Sequence, residues 1–116
     1  MRNSDTIAGS SSLGERLGKI KRSETVYLHH GKRKTLIRDR ITIGRSSDCD
    51  IIISDNLTSR HHALIQKIKN AYFITDEDST NGVLVNGQVI EKGTYVRLHP
   101  SDTITIGRTE LHLLPG

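Results

Sequence analysis

The feature that most constrains this chain is a succession of short, apolar-rich segments closed off by turn residues, running from Thr25 almost to the C-terminus. Val26–His29 and Lys34–Ile37 flank a turn at His30-Gly31. Arg40-Ile41-Thr42-Ile43 alternates polar and apolar, the period of a strand with one face buried. Ile51–Ile53 is a short apolar run, and Ala63–Ile68 and Ala71–Thr75 bracket a turn at Lys69-Asn70. Val83–Val85 faces Gln88–Ile90 across Asn86-Gly87. That dipeptide suits a type I′ hairpin, whose two central residues both need positive φ. Tyr95–Leu98, Thr103–Ile106 and Glu110–Leu114 complete the set. About ten short strands with closely spaced turns predict an all-β chain folded as an antiparallel sandwich or barrel. Leu13, Leu17 and Ile20 have helical spacing, but Gly14 and Gly18 argue against a stable helix there.

A chain of 116 residues suits one domain. With three Tyr, one Phe and no Trp, its core must be built from Ile, Leu and Val. The opening stretch MRNSDTIAGSSS is small and Ser-rich, so residues 1–23 are expected to form a flexible arm and 24–116 the domain. The chain stops directly after the last strand segment, as expected for one domain of a longer protein.

Several function classes drop out. The lone Cys49 excludes an internal disulfide and a multi-cysteine zinc cluster. No apolar run approaches the roughly 20 residues that span a bilayer, and no signal segment opens the chain. A cytoplasmic protein without a membrane partner is expected. The net charge of +4 is uneven: residues 1–34 hold eight basic and three acidic residues, the remaining 82 nine and ten. A near-neutral body poor in aromatics does not suit nucleic acid, which asks for a basic face and stacking rings. The pairs His29-His30 and His61-His62 point to opposite faces of a strand and chelate poorly. The run Asp76-Glu77-Asp78 lacks EF-hand spacing and is expected to be a solvated turn. No metal or other cofactor is predicted. Ser59, His62 and Asp55 suggest a triad only superficially, since no nucleophile elbow or oxyanion loop accompanies them. No enzyme is expected.

The purposeful polar residues fall between strands. Gly44-Arg45-Ser46-Ser47 follows one strand, Ser59-Arg60-His61-His62 precedes another, and Ser79-Thr80-Asn81-Gly82 leads into the Asn86-Gly87 hairpin. Loops at one end of a sandwich can converge on one surface. Together these would present a guanidinium fork, hydroxyls and a side-chain amide, a set suited to a phosphate carried on a peptide. Nothing in it pairs a nucleophile with a base. Taken singly each cluster is weak, because Gly-Arg is common after strands and Ser-Thr-Asn-Gly is an ordinary turn.

Order and spacing carry more. Gly44-Arg45, the run Asp48–Asp55, Ser59-x-x-His62, Asp78-Ser79-Thr80-Asn81-Gly82, Asn86-Gly87 and Asp102–Gly107 together resemble the forkhead-associated (FHA) signature. The resemblance covers roughly residues 25–114. It implies a two-sheet antiparallel β-sandwich of about eleven strands and a phosphothreonine peptide bound by apical loops, in Ser/Thr kinase signalling. It also implies that Arg45 and Ser59 hold the phosphate and that Thr80 contacts it or shapes a pocket for the threonine methyl. Asn81 would grip the peptide backbone, and Arg60 would reach the phosphate or a peptide carbonyl. Gly44, His62 and Gly82 would be structural supports, Gly44 letting the backbone turn. His61 stands where the family varies, and Pro100-Ser101-Asp102 replaces its more usual Gly-Asp turn. Leu57 takes a place that in some relatives selects the third residue after the phosphothreonine, and an apolar side chain there predicts no acidic preference. A monomer is the default. The alternative is an FHA-like scaffold that binds partners without phosphate, which need not keep Arg45, Ser59, Thr80 and Asn81. Thr6, in the arm, is a candidate phosphorylation site through which the domain could bind its own tail or a neighbour's.

Overall fold

Residues 26–115 are described by the computed structural model. The expected arm, with Thr6 and the helical spacing at Leu13, lies outside the described residues. The apolar-rich segments extend, some alternating as Arg40–Ile43 does and others, such as Val83–Val85, apolar throughout. The strands are β1 (Val26–His30), β2 (Arg33–Leu36), β3 (Arg40–Gly44), β4 (Ile51–Ile52), β5 (Ala63–Ile68), β6 (Ala71–Asp76), β7 (Val83–Val85), β8 (Gln88–Val89), β9 (Val96–Leu98), β10 (Thr103–Ile106) and β11 (Thr109–Pro115). Every boundary that differs from the sequence reading does so by a single residue. Three of the residues left outside still bond across: Ile37 N–H donates to Val26 O, Ile53 N–H to Gly44 O, and Ile90 N–H to Val83 O. Among the described residues there is no helix, and so none long and apolar enough to cross a membrane.

The strands form a five-stranded sheet, β9-β6-β5-β3-β4, and a six-stranded sheet, β2-β1-β11-β10-β7-β8. All pairings are antiparallel except β3 with β4, which run parallel with Ile43 opposite Ile51. A parallel pair needs a longer connection than a hairpin, and the loop from Arg45 to Asp50 supplies it. The Asn86-Gly87 turn has the predicted geometry, with φ of 52° and 83°. Asn86 also accepts the Thr103 N–H through its side-chain oxygen and donates to Asp102, tying the hairpin to β10.

Alternate residues from both sheets meet in one core. Ile43, Ile65 and Ile74 of the first sheet and Leu28, Ile104, Ile106, Leu111 and Leu113 of the second are fully buried. The core is aliphatic, as the composition requires; Tyr72 is the one aromatic residue in it.

The register decides where the loops go. Ile43 lies opposite Ala63, and Ala63 opposite Asp76. The end of β3, the start of β5 and the end of β6 therefore share one end of the first sheet. From there the chain crosses to β7 in the second sheet. The three polar loops emerge at this one end for that reason.

Ile65 sits at the centre of β5 with no exposed surface. Ile65→Ala should cost about 2–5 kcal/mol of stability through lost burial and the cavity left behind. Urea unfolding monitored by circular dichroism measures it.

Candidate functional site

Two glycines fix the frame, for different reasons. Gly44 ends β3 without positive φ, so it is not a turn residue as the sequence suggested. A Cβ there would lie 2.1 Å from the Arg60 carbonyl oxygen and 3.0 Å from Cys49 Sγ. Close approach of two backbones is what requires glycine. Gly82, at φ +87°, is needed for its conformation, since a Cβ would meet only Val89 at an ordinary 3.7 Å.

Main-chain bonds stitch the first two loops together. Arg45 N–H donates to Ser59 O (2.9 Å) and Ser46 N–H to Arg60 O (3.1 Å). His62 then joins the second loop to the third. Its ring has no exposed surface. Nδ1 accepts the Ser59 N–H at 2.9 Å, and Nε2 lies 2.7 Å from Gly82 O. An accepting Nδ1 places the proton on Nε2, which donates to the Gly82 carbonyl. With both ring nitrogens engaged by main chain, Ser59 Oγ has no base at His62. The Asp55 carboxylate faces Leu57 N–H, Thr58 Oγ and Arg108 N–H. No triad is assembled.

Two Asp-x-x-Ser/Thr turns hold the loops from beneath. Asp76, only 1% exposed, accepts Ser79 N–H (2.7 Å) and Ser79 Oγ–H (2.9 Å). Ser79 Oγ in turn accepts Gly82 N–H (2.9 Å). The run Asp76-Glu77-Asp78 is therefore not a solvated turn throughout: Glu77 and Asp78 are exposed, but Asp76 is buried to satisfy this loop. Asp55 does the same for Leu57 and Thr58 and also reaches the β10–β11 turn at Arg108. A side chain on Gly107 would collide with Asp55 and Thr58 at 2.6 Å. The Arg108 N–H beside Asp55, with smaller help from Thr58 and Leu57, holds its carboxyl below the ordinary 3.8.

On this frame the predicted ligand-facing residues converge. Arg45, Ser59, Arg60, Thr80 and Asn81 all line one open depression of ≈ 410 Å³, which Leu57 and Asp78 also line. Arg45 Nε donates to Thr58 O at 3.0 Å, which aims the guanidinium and leaves its terminal nitrogens uncommitted to that bond. Ser59 Oγ accepts Thr80 N–H at 3.0 Å, so its own proton is directed elsewhere. Asn81 Nδ2 donates to Leu57 O at 2.9 Å, leaving the amide oxygen as an acceptor. Arg60 is exposed, while its carbonyl is fixed by Ser46 N–H and Cys49 Sγ. Two cationic side chains, two hydroxyls and an amide on a fixed backbone can bind an anion and an extended peptide.

The sequence reading named Asp55, Asp76 and Ser79 without giving them a supporting role, and it did not name Thr58. The signal was present in the spacing: each Asp precedes a Ser or Thr by three residues, as side-chain turns do. The sequence reading also did not bring together Asp48, Cys49 and His61, whose donor atoms lie within 4.8 Å of one another. Each is already engaged. The Ser46 hydroxyl and then His61 hold Asp48 below its usual range. Burial pushes the Cys49 thiol up, keeping it a donor to Arg60 O.

Comparisons with known proteins converge. The FHA domain family model matches residues 41–107. An ABC transporter ATP-binding/permease protein of Mycobacterium tuberculosis is 38% identical over 76 residues, covering 66% of this chain and 8% of the relative. A probable serine/threonine-protein kinase of Dictyostelium discoideum is 32% identical over 84 residues, covering 66% and 14%. The chain thus spans a small part of these relatives. Among solved structures, Mycobacterium tuberculosis EmbR in complex with a low-affinity phosphopeptide superposes with TM-score 0.72 at 33% identity, covering 78% of this chain and 24% of that one. A domain studied for phosphothreonine-dependent FHA interactions gives 0.71 at 26%, covering 78% and 95%.

Two predictions arise from the frame. His62→Ala strands Ser59 N–H and Gly82 O and opens a cavity, and should cost about 3 kcal/mol or more by urea unfolding. Asp55 has a lowered folded pKa, so its loop contacts contribute fully above 3.8 and are lost as pH falls through the folded value. The Arg108 amide resonance should therefore titrate with a midpoint below 3.8; a midpoint at or above that value contradicts the contact.

Proposed function

We propose a function from one premise: the chain belongs to the FHA domain family. It is a phosphothreonine-dependent protein-interaction module in Ser/Thr kinase signalling, carried by residues 24–116, and it binds a phosphorylated peptide through its apical loops. The observation that carries this reading is the convergence of Arg45, Ser59, Arg60, Thr80 and Asn81 on one open depression. The phosphopeptide complex of EmbR and the kinase relative support it.

The roles follow from the free valences. A phosphothreonine brings a charge of about −1.5 to −2 and three acceptor oxygens. Arg45 meets it with the terminal nitrogens that its bond to Thr58 leaves available, and Ser59 donates its hydroxyl proton. Arg60 adds a second positive charge at the rim. Thr80 flanks the ester carbon, giving the threonine methyl a surface. Asn81 offers its amide oxygen to a peptide N–H and can exchange the Leu57 carbonyl for one of the peptide's. Gly44, His62 and Gly82 position these groups without touching the ligand. Leu57 offers no cation to an acidic residue. At this depression His62 is committed to main chain and offers Ser59 no base, so the module binds and releases. A cytoplasmic monomer without a metal, nucleic-acid or membrane requirement completes the reading.

Each charge-assisted hydrogen bond contributes roughly 1.5–3 kcal/mol. Arg45→Ala should therefore weaken phosphopeptide binding at least about tenfold in isothermal titration calorimetry, and Ser59→Ala less. Losing one buried methyl costs about 1 kcal/mol, so a matched phosphoserine peptide should bind about fivefold more weakly. Equal binding of phosphorylated and unphosphorylated peptides would sink the proposal and leave a phosphate-independent scaffold.

A further inference from the structure

A second depression, of ≈ 580 Å³, opens beside the first. It lies where the β8–β9 connection crosses the end of β6. Lys92, Gly93 and Tyr95 form one wall, Glu77 and Asp78 the other. Gly93 N–H donates to Asp76 O at 3.1 Å, fastening the two walls together. Asp78 lines both depressions, so they are neighbours on one surface.

The two differ in charge. The first carries Arg45 and Arg60. The second carries the exposed carboxylates of Glu77 and Asp78, and among the described residues neither is in an ion pair. Tyr95 adds an aromatic side chain that is 52% exposed. Asp78 is held on the shared ridge by its backbone, at φ 62°, between the Asp76–Ser79 bonds. A phosphate in the first depression meets the Asp78 charge across that ridge. A cation in the second offsets it and gains two carboxylates and a ring face.

Resting on the phosphopeptide reading, we propose that this second depression is a subsite for a basic side chain of the ligand, an Arg above all, close in sequence to its phosphothreonine. The ligand class becomes a phosphothreonine peptide with a nearby cation. Arg is favoured over Lys because its planar guanidinium can bridge carboxylates and stack on Tyr95 at once. Lys92 on the opposite wall adds one positive charge, which the two carboxylates outnumber.

The test uses the full chain and a phosphothreonine peptide with alanine at four positions on each side. A single Arg is moved through those positions, and binding is measured by fluorescence anisotropy at low and physiological salt. One position should bind about three- to tenfold more tightly than the alanine peptide, and Lys there should gain less. The gain should shrink with salt and vanish in Glu77→Gln/Asp78→Asn. Asn tolerates positive φ, so the loop should persist in that variant. The alanine phosphopeptide should bind Glu77→Gln alone as tightly as the parent, because Glu77 lines the second depression and not the first. No gain at any position, or a gain that survives in the variant, overturns the subsite while leaving the phosphate site intact. Absence of phosphate-dependent binding by the alanine peptide overturns both.

Discussion

The structure at the binding end depends on one buried imidazole. His62 has no exposed surface and spends both nitrogens on main chain, Ser59 N–H on one side and Gly82 O on the other. These groups belong to different loops, and Gly82 sits where the chain passes from one sheet to the other. That bridge sets the separation between Ser59 and Thr80 from beneath, and the Ser59 Oγ bond to Thr80 N–H and the Asn81 bond to Leu57 O hold it at the surface. A ligand that finds these groups in place loses less affinity to ordering them.

Two carboxylate turns, one buried at Asp76 and one partly exposed at Asp55, extend the same principle. Asp76 and Asp55 each gather backbone and hydroxyl donors that would otherwise be unsatisfied below the loops. Polar groups under the surface are tolerated only when hydrogen-bonded, and each such bond also removes a degree of freedom from the loop above. Arg45 is aimed by the same means, through its Nε bond to the Thr58 carbonyl. The result is a division of labour. Buried polar residues hold the backbone, and exposed ones stay available to a ligand.

Much of the fold was legible because alternation and turn chemistry are local. Asn86-Gly87 needed positive φ at both positions and has it. Arg40–Ile43 alternated and forms a strand with Ile41 and Ile43 inward. The parallel pairing of β3 with β4 was not legible, since two short apolar runs do not reveal their relative direction. The residues lining the candidate depression could be named from order and spacing, but their geometry could not. Gly44 shows the limit: the sequence suggested a turn, whereas the reason for glycine is the Arg60 carbonyl, a contact 16 positions away that no local pattern announces. Asp76 was misjudged for a related reason. An acidic run is normally solvated, and only the fold turns its first member inward.

The central claim is that a phosphate on a peptide is read by this one end of the sandwich. The most direct measurement is a two-dimensional amide NMR titration with a phosphothreonine peptide and its unphosphorylated twin. The account predicts phosphate-dependent shifts concentrated at Arg45, Ser59, Arg60, Thr80 and Asn81, with the sheet faces unmoved. Shifts spread over the sheet faces, or the same shifts with both peptides, would contradict it.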